Sequence, residues 1–282
     1  MVNIRDLDPS ASPLDYYGSE LRRLREATGL KQGQLGDIVF CAASLVGQIE
    51  TARKVPTREF SERLDAALGT GGVFSRLVGL VLRSQLPTWF QEFAAMEAKA
   101  TYISTFQSQV MYGLLQTEAY ARALLSVDGP DQVDELVAAR MERQRILERE
   151  HPPALWVVLS EAVLHQHVGG AEVMRDQLAH LLSFLTDPWV QIQVLPFEVV
   201  QHSGLVGAFT LLRFDDDPDL FYQEGYHQGH MTADSSLIKE RSVGYARLQA
   251  AALSPEDSAR LIAHVMEECY GNHPKPDRRG VA

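Results

Sequence analysis

Residues 34 to 50 read QLGDIVFCAASLVGQIE, and the way this stretch divides into helices decides the character of the first third of the chain. Leu35, Ile38 and Val39 share one face of a helix running from Lys31 to Val39, while Val46 and Ile49, three residues apart, turn inward from another running from Ala43 to Thr51. Two short helices joined by a tight turn set the second across the first. In that geometry one helix braces and the other can enter a major groove. The outer face is poor in reading side chains, however, and the turn has Phe40 where a glycine is expected.

Working outward, Ser19 is placed to cap a first helix, SELRRLREAT, with Leu21, Leu24 and Ala27 on one face and Gly29 marking its end. Thr57, after Pro56, caps a fourth helix that reaches Leu68, with Phe60, Leu64, Ala67 and Leu68 as its core face. The cluster Gly69 to Gly72 ends it, and Val73 to Leu86 forms an apolar fifth helix. Residues 1–16 hold three Asp and two Pro without helical period and are expected to form an extended arm.

Charge is spread unevenly along a chain of 282 residues with a net charge of -11. Residues 17–86 carry ten Lys/Arg against seven Asp/Glu, whereas residues 87–282 carry fifteen against twenty-seven. A small basic module joined to a larger acidic one is the asymmetry expected if only the first touches phosphate. The longest uncharged apolar run falls well short of the ~20 residues that cross a bilayer, and no basic-then-apolar leader opens the chain, so a cytoplasmic location is expected. Cys41 and Cys269 lie far apart with no CxxC pattern, which supports neither a disulfide framework nor a thiolate metal site.

After Pro87 the texture changes. Two helical stretches, GLLQTEAYARALL and DQVDELVAARMERQRILERE, flank a DGP turn at Asp128 to Pro130. Beyond His151 come β-rich runs, LWVVL, VQIQVLP, AFTLLRF and LFYQE, the last two forming an antiparallel hairpin around DDDPD. Helices are expected at Glu172 to Leu185, Ser235 to Ala252 and Pro255 to Cys269. The fold class is mainly α with a second α/β domain, in which helices surround a small mixed sheet. The expected divisions are 1–16, 17–86, 87–270 and a disordered tail over 271–282.

On LRRLREATGLKQGQLGDIV, SLVGQIETARKVPT and REFSERLDAAL, residues 17–86 resemble the lambda-repressor-like, xenobiotic-response-element type of five-helix DNA-binding domain. The resemblance implies binding to double-stranded DNA, and a helix-turn-helix with so few readers would gain from two-fold repetition, so a homodimer is expected. Gln32 would meet a phosphate at the start of the second helix, and Ala43, Ser44, Gly47 and Gln48 would face the groove. Only Gln48 can make a bidentate contact, favouring adenine; Ser44 can bond to several bases and Ala43 can touch a thymine methyl. Arg53 and Lys54 would meet backbone phosphates, and Glu50 matches the family's structural acid. Phe40 and Ala52 stand where the family carries glycine, and since a side chain at positive φ costs about 1 kcal/mol or more, a different path is expected for the turn. The competing reading keeps the motif as a docking module, with Phe40 and Leu45 as an exposed apolar pair.

On WFQEF, FQSQVMYGLLQTEAYARALL, LWVVLSEAVLHQHVGG, VQIQVLPFEVVQHSGLVGAFTLLRF and LSPEDSARLI, the remainder resembles the C-terminal domain of actinobacterial WhiJ-like regulators. That implies a transcriptional regulator, often paired with a small protein encoded nearby. The segment contains no Gly-rich phosphate loop, GxSxG or HExxH, so no cofactor and no catalytic set is expected. His165 and His167 point to different faces of a helix, and His227 and His230 sit in a Gly-flanked loop, so no metal is assigned. The run Asp215 to Asp217 with Asp219 reads as a solvated hairpin turn rather than a calcium site. Glu161, His202 and Glu224 fall near strand ends or loops, where they either line a pocket suited to acid–base work or cap loops. Three functions stay open: a regulator sensing a partner or ligand, a toxin-like or enzymatic domain neutralised by a small partner protein, and a scaffold that no longer needs DNA.

Overall fold

The computed structural model describes residues 7–127, 132–225 and 228–271. The turn expected at 128–130, His227 and the tail from residue 272 lie outside them. Two compact units emerge, one of residues 1–91 with 134–142 and the other of 92–133 with 143–282.

The first unit opens with α1 (Pro13–Ala27), six residues before the expected start. Proline fixes a helical φ and lacks an N–H that the first turn could not use, and the Ser12 hydroxyl accepts from the Asp15 N–H at 3.0 Å. Ser19 is therefore internal, with its hydroxyl donating to the Tyr16 carbonyl. Four further helices follow: α2 (Gln32–Ile38), α3 (Ala43–Glu50), α4 (Arg58–Leu68) and α5 (Val73–Ser84). Tyr17, Leu21, Leu35, Val46, Ile49, Phe60, Leu64 and Phe74 are buried together as the core, and the Tyr17 hydroxyl meets that of Ser61 at 2.7 Å. Helix α5 has glycine at its N-cap, and Asp65 of α4 supplies the cap instead, accepting from the N–H groups of Phe74 at 2.9 Å and Ser75 at 2.8 Å.

The unit boundaries fall inside α6 (Thr88–Glu97) and α8 (Val133–Gln144). The second unit is built on a six-stranded mixed sheet. In chain order its strands are β1 (Tyr102–Gln107), β2 (Ala154–Ser160), β3 (Val190–Leu195), β4 (Phe209–Arg213), β5 (Leu220–Glu224) and β6 (Gly229–Thr232). They lie side by side as β3-β2-β1-β4-β5-β6. The β1–β2 and β2–β3 pairs are parallel, which requires crossovers, and these carry α7 (Glu118–Leu125), α8, α9 (Ala162–His165) and α10 (Ala171–Ser183). The expected hairpin is present as β4 and β5, antiparallel with Leu211 opposite Phe221.

Helices α11 (Ser235–Ala251) and α12 (Pro255–Tyr270) complete the chain. Ile238, Tyr245 and Leu248 of α11 pack with Phe106, Val158, Phe209, Leu211 and Phe221 of the sheet. Residues adjacent to these in the strands serve the opposite face, where Tyr222 stacks on Phe93 with ring centroids 3.9 Å apart. Beneath that stack Glu97 is fully buried, bound by the Arg143 guanidinium and the Tyr112 hydroxyl. Burial alone would lower the Arg143 pKa, but the Glu97 charge beside it holds the guanidinium above its ordinary value. Among the described residues no helix is long and apolar enough to cross a membrane.

Candidate nucleic-acid interface

The turns that follow α2 and α3 each contain one left-handed residue. Phe40 has φ 57° and Ala52 has φ 53°. After α2 the Cys41 N–H returns to the Gly36 carbonyl at 2.8 Å, and after α3 the Arg53 N–H returns to that of Gln48 at 2.8 Å. Both are Schellman closures in which glycine usually holds the left-handed position. The expectation that Phe40 diverts the turn is thus corrected: the backbone bonds that end each helix outweigh the strain, and the left-handed path is kept with side chains on it. Gly36 is needed for a separate reason, because a Cβ there would lie 2.6 Å from the Cys41 carbonyl oxygen.

Beneath the recognition helix lies a buried ionic bracket. Glu50, with no exposed surface, accepts from Arg25 Nε at 2.5 Å and Nη2 at 3.1 Å, and from Gln32 Nε2 at 2.7 Å. Gln32, expected to reach a phosphate, directs its amide nitrogen inward, and its Oε1 would lie 3.2 Å from a Cβ at Gly47. Gly47 is thereby placed against α2, half-buried, while Ala43, Ser44 and Gln48 are exposed on the far side of α3. Arg53 is exposed and forms no ion pair among the described residues. Phe40, at 82% exposure, stands out from the turn while Leu45 is half-buried, so the two are not equally displayed.

Lys54 is engaged, its Nζ lying 3.1 Å from Glu135 Oε1 on α8. One helical face further along, Arg58 Nε bonds Glu142 Oε2 at 2.6 Å, its Nη2 bonds Oε1 of the same carboxylate, and its Nη1 donates to the Ser75 carbonyl at 3.1 Å. The acidic side of α8 thus holds two cations of the helix-turn-helix unit. Sequence reading missed Arg58, Glu135 and Glu142, whose acids are distant in sequence and carry no motif.

A model described as a helix-turn-helix domain matches residues 17–74, and one described as a domain of unknown function (DUF5753) matches residues 90–264. The chain belongs to the DUF5753 family. No curated protein and no solved structure matches it. The helix-turn-helix match supports DNA binding and transcription regulation by the first unit.

Within the DUF5753 segment the three carboxylate and imidazole candidates stand on different elements. Glu161 follows β2, accepts from the Phe197 N–H at 2.8 Å and lies 3.7 Å from His165 Nε2. His165 Nδ1 in turn faces Cys269 Sγ at 3.8 Å. His202 meets the edge of the Phe106 ring at 5.8 Å, and among the described residues its buried Nδ1 has no hydrogen-bond partner. Glu224 ends β5 and is exposed. Among the described residues no hydrogen bond joins Glu161 to His202. His230 lies in β6 rather than in a loop, and no group of three His, Cys, Asp or Glu among the described residues is arranged to hold a metal. In the hairpin turn Asp215 accepts from the Thr101 hydroxyl at 3.2 Å and Asp219 lies 4.0 Å from Arg213, as loop contacts require.

Proposed function

We propose that the chain is a homodimeric, cytoplasmic, DNA-binding transcriptional regulator whose DUF5753 domain receives a ligand or a small partner protein encoded nearby. The observation that carries the reading is the exposed α3 face, Ala43, Ser44 and Gln48, seated on the buried Glu50–Arg25–Gln32 bracket inside a matched helix-turn-helix. A bracket of charges under a displayed helix fixes the helix's orientation, and base reading depends on that orientation. Gln48 is the base reader, Arg53 meets phosphate directly, and Lys54 does so by exchanging Glu135 for a phosphate. Because so few side chains reach the groove, discrimination rests on DNA shape and half-site spacing as well. The next residue after Glu142 in α8 is Arg143, so one helix carries both the acid that holds Arg58 and the cation that holds Glu97. That continuity offers a covalent route from the second unit to the cations of the first. Selection of bound duplexes from random sequence, repeated with Gln48→Ala at fixed salt, tests the reading. Relaxed preference at an adenine is expected, and a variant with unchanged preference removes Gln48 as reader.

The alternative of a catalytic, toxin-like second domain is favoured by one arrangement, the Glu161–His165–Cys269 series, in which an imidazole stands between a carboxylate and a thiol. Alkylation of Cys269 by iodoacetamide across pH decides it. A rate that falls with His165→Ala supports an activated thiol, and an unchanged rate leaves the cysteine as surface.

A further inference from the structure

A cavity of about 480 Å³ in the second unit lies between α11 and the segment from Ser203 to Phe209. That size is typical of small-molecule sites. Ser236, Lys239, Val243 and Arg247 contribute from α11, recurring at three- and four-residue steps so that one face of the helix forms a wall. Phe209, 4% exposed, shows a small aromatic surface to it from the sheet, and Ser203, the first residue of a 3-10 turn over Ser203–Val206, lines it beside Gly244.

Three cations line this cavity, Lys239, Arg241 and Arg247, against one carboxylate, Glu240. Such a concentration of positive charge is out of keeping with its surroundings, since residues 87–282 hold fifteen Lys/Arg and twenty-seven Asp/Glu. The cations are weakly engaged. Arg241 lies 5.9 Å from the Phe221 ring centroid and approaches Glu240 at 3.8 Å, and its Nε is buried without a hydrogen-bond partner among the described residues. Among the described residues Lys239 and Arg247 form no ion pair. The hydroxyls are committed, that of Ser203 donating to the Gly244 carbonyl at 3.0 Å and that of Ser236 to Asp234 at 2.6 Å. Recognition in this cavity therefore falls to the guanidinium and ammonium groups for charge and to Phe209 and Val243 for apolar contact.

We propose that this cavity binds a small organic anion, a carboxylate or phosphate carried on an aromatic or branched apolar body. The assignment rests on the reading of the second unit as a receiver of signals and names the chemistry of one. The anion sits among Lys239, Arg241 and Arg247, and its apolar part lies on Phe209.

The test is fluorescence titration of the full chain with anilinonaphthalene sulfonate, which combines an aromatic body with an anion. Sodium benzoate and inorganic phosphate serve as separate competitors, and benzyl alcohol as the neutral control. Saturable one-to-one binding is expected, weakened at least tenfold by Lys239→Gln with Arg247→Gln, two exposed positions whose change leaves folding intact. Val243→Trp, which fills the groove and keeps every charge, should abolish it. Displacement by benzoate alone assigns a carboxylate, and displacement by phosphate assigns a phosphate. Absence of saturable binding, affinity unchanged in both variants, or equal displacement by benzyl alcohol overturns the site. Duplex binding measured on the same preparations separates the two claims, since dye binding without DNA binding refutes the regulator and leaves the site standing.

Discussion

Replacing Glu135 with Gln isolates the exchange by which Lys54 would reach DNA. The two side chains, 3.1 Å apart, keep 39% and 18% of their surface exposed. A pair so open to water contributes about 0–1 kcal/mol, and that is the largest penalty that phosphate pays to take Lys54 away from Glu135. Glu135→Gln should therefore tighten duplex binding by up to about fivefold per domain. The salt slope should barely change, because Lys54 neutralises one phosphate in either protein. Lys54→Gln should instead lower the slope by about 0.9 per domain, the counterion share of one phosphate contact. Anisotropy titrations of a labelled duplex between about 50 and about 200 mM salt cover the range in which the slope is measurable. The decisive comparison is Glu135→Gln on a Lys54→Gln background. If Glu135 acts by holding Lys54, its gain shrinks once Lys54 is gone. An equal gain in both backgrounds would show that Glu135 only repels the duplex at a distance, and the exchange would be refuted.

Three other perturbations bear on the scaffold. Phe40→Gly and Ala52→Gly each relieve about 1–2 kcal/mol of left-handed strain and lose about 0.4–1 kcal/mol to the freer unfolded chain. With Phe40 at 82% exposure little burial is forfeited, so each should raise the melting temperature, and a fall would contradict the two Schellman closures. Burial alone would raise Asp65, but hydrogen bonds from Ser75, Thr70 and two N–H groups hold its carboxyl below its ordinary 3.8. Its stabilisation is present above 3.8 and lost as pH falls through the lower folded value, so Asp65→Asn should cost about 1 kcal/mol at neutral pH, the gap to the parent closing in acid unfolding curves. Glu97→Gln removes the carboxylate charge from the buried Arg143 guanidinium and should cost about 3–5 kcal/mol by denaturant titration, and a loss under about 1 kcal/mol would contradict a buried ion pair that stabilises the fold.

What the sequence concealed has identifiable causes. Helices α2 to α5 were legible to within a residue or two because each carries an apolar period, and α4 also has its Thr57 cap and terminating Gly69. The start of α1 was equally marked, by Ser12, Pro13 and Asp15, yet Gly18 inside the helix obscures it; a Cβ there would lie 2.6 Å from the Ile49 carbonyl, so this glycine serves packing against α3 rather than a turn. Strand β1 was missed because its middle four residues are all buried, which removes the alternation that marks a half-buried strand, and because two of them, Ser104 and Thr105, are polar. Thr105 is accommodated by bonds to the Phe209 carbonyl and the Thr210 hydroxyl across the β1–β4 pair, a partner no local reading can supply. The cationic wall of α11 was readable in principle, since a helix presenting Lys239, Val243 and Arg247 on one face beside a close-packed glycine is an unusual surface for an acidic domain.

Charge is where linear reading and folded structure part most sharply. Over residues 17–86 the helix-turn-helix segment has a surplus of three cations, which suggested a module drawn to phosphate by its own field. The folded unit also takes in residues 134–142 and the N-terminal stretch, and together these residues hold twelve Lys/Arg against thirteen Asp/Glu. The surplus is gone, and two of the acids responsible, Glu135 and Glu142, lie directly on Lys54 and Arg58. A unit close to neutral has little long-range attraction for DNA, so on the proposed reading it would rely on contacts at close range rather than on accumulation along the duplex. On the proposed reading, control of affinity would fall to α8. Loosening the hold of Glu135 on Lys54 would then add a phosphate contact without altering the proposed reading face, so binding strength could be regulated independently of which sequence is read.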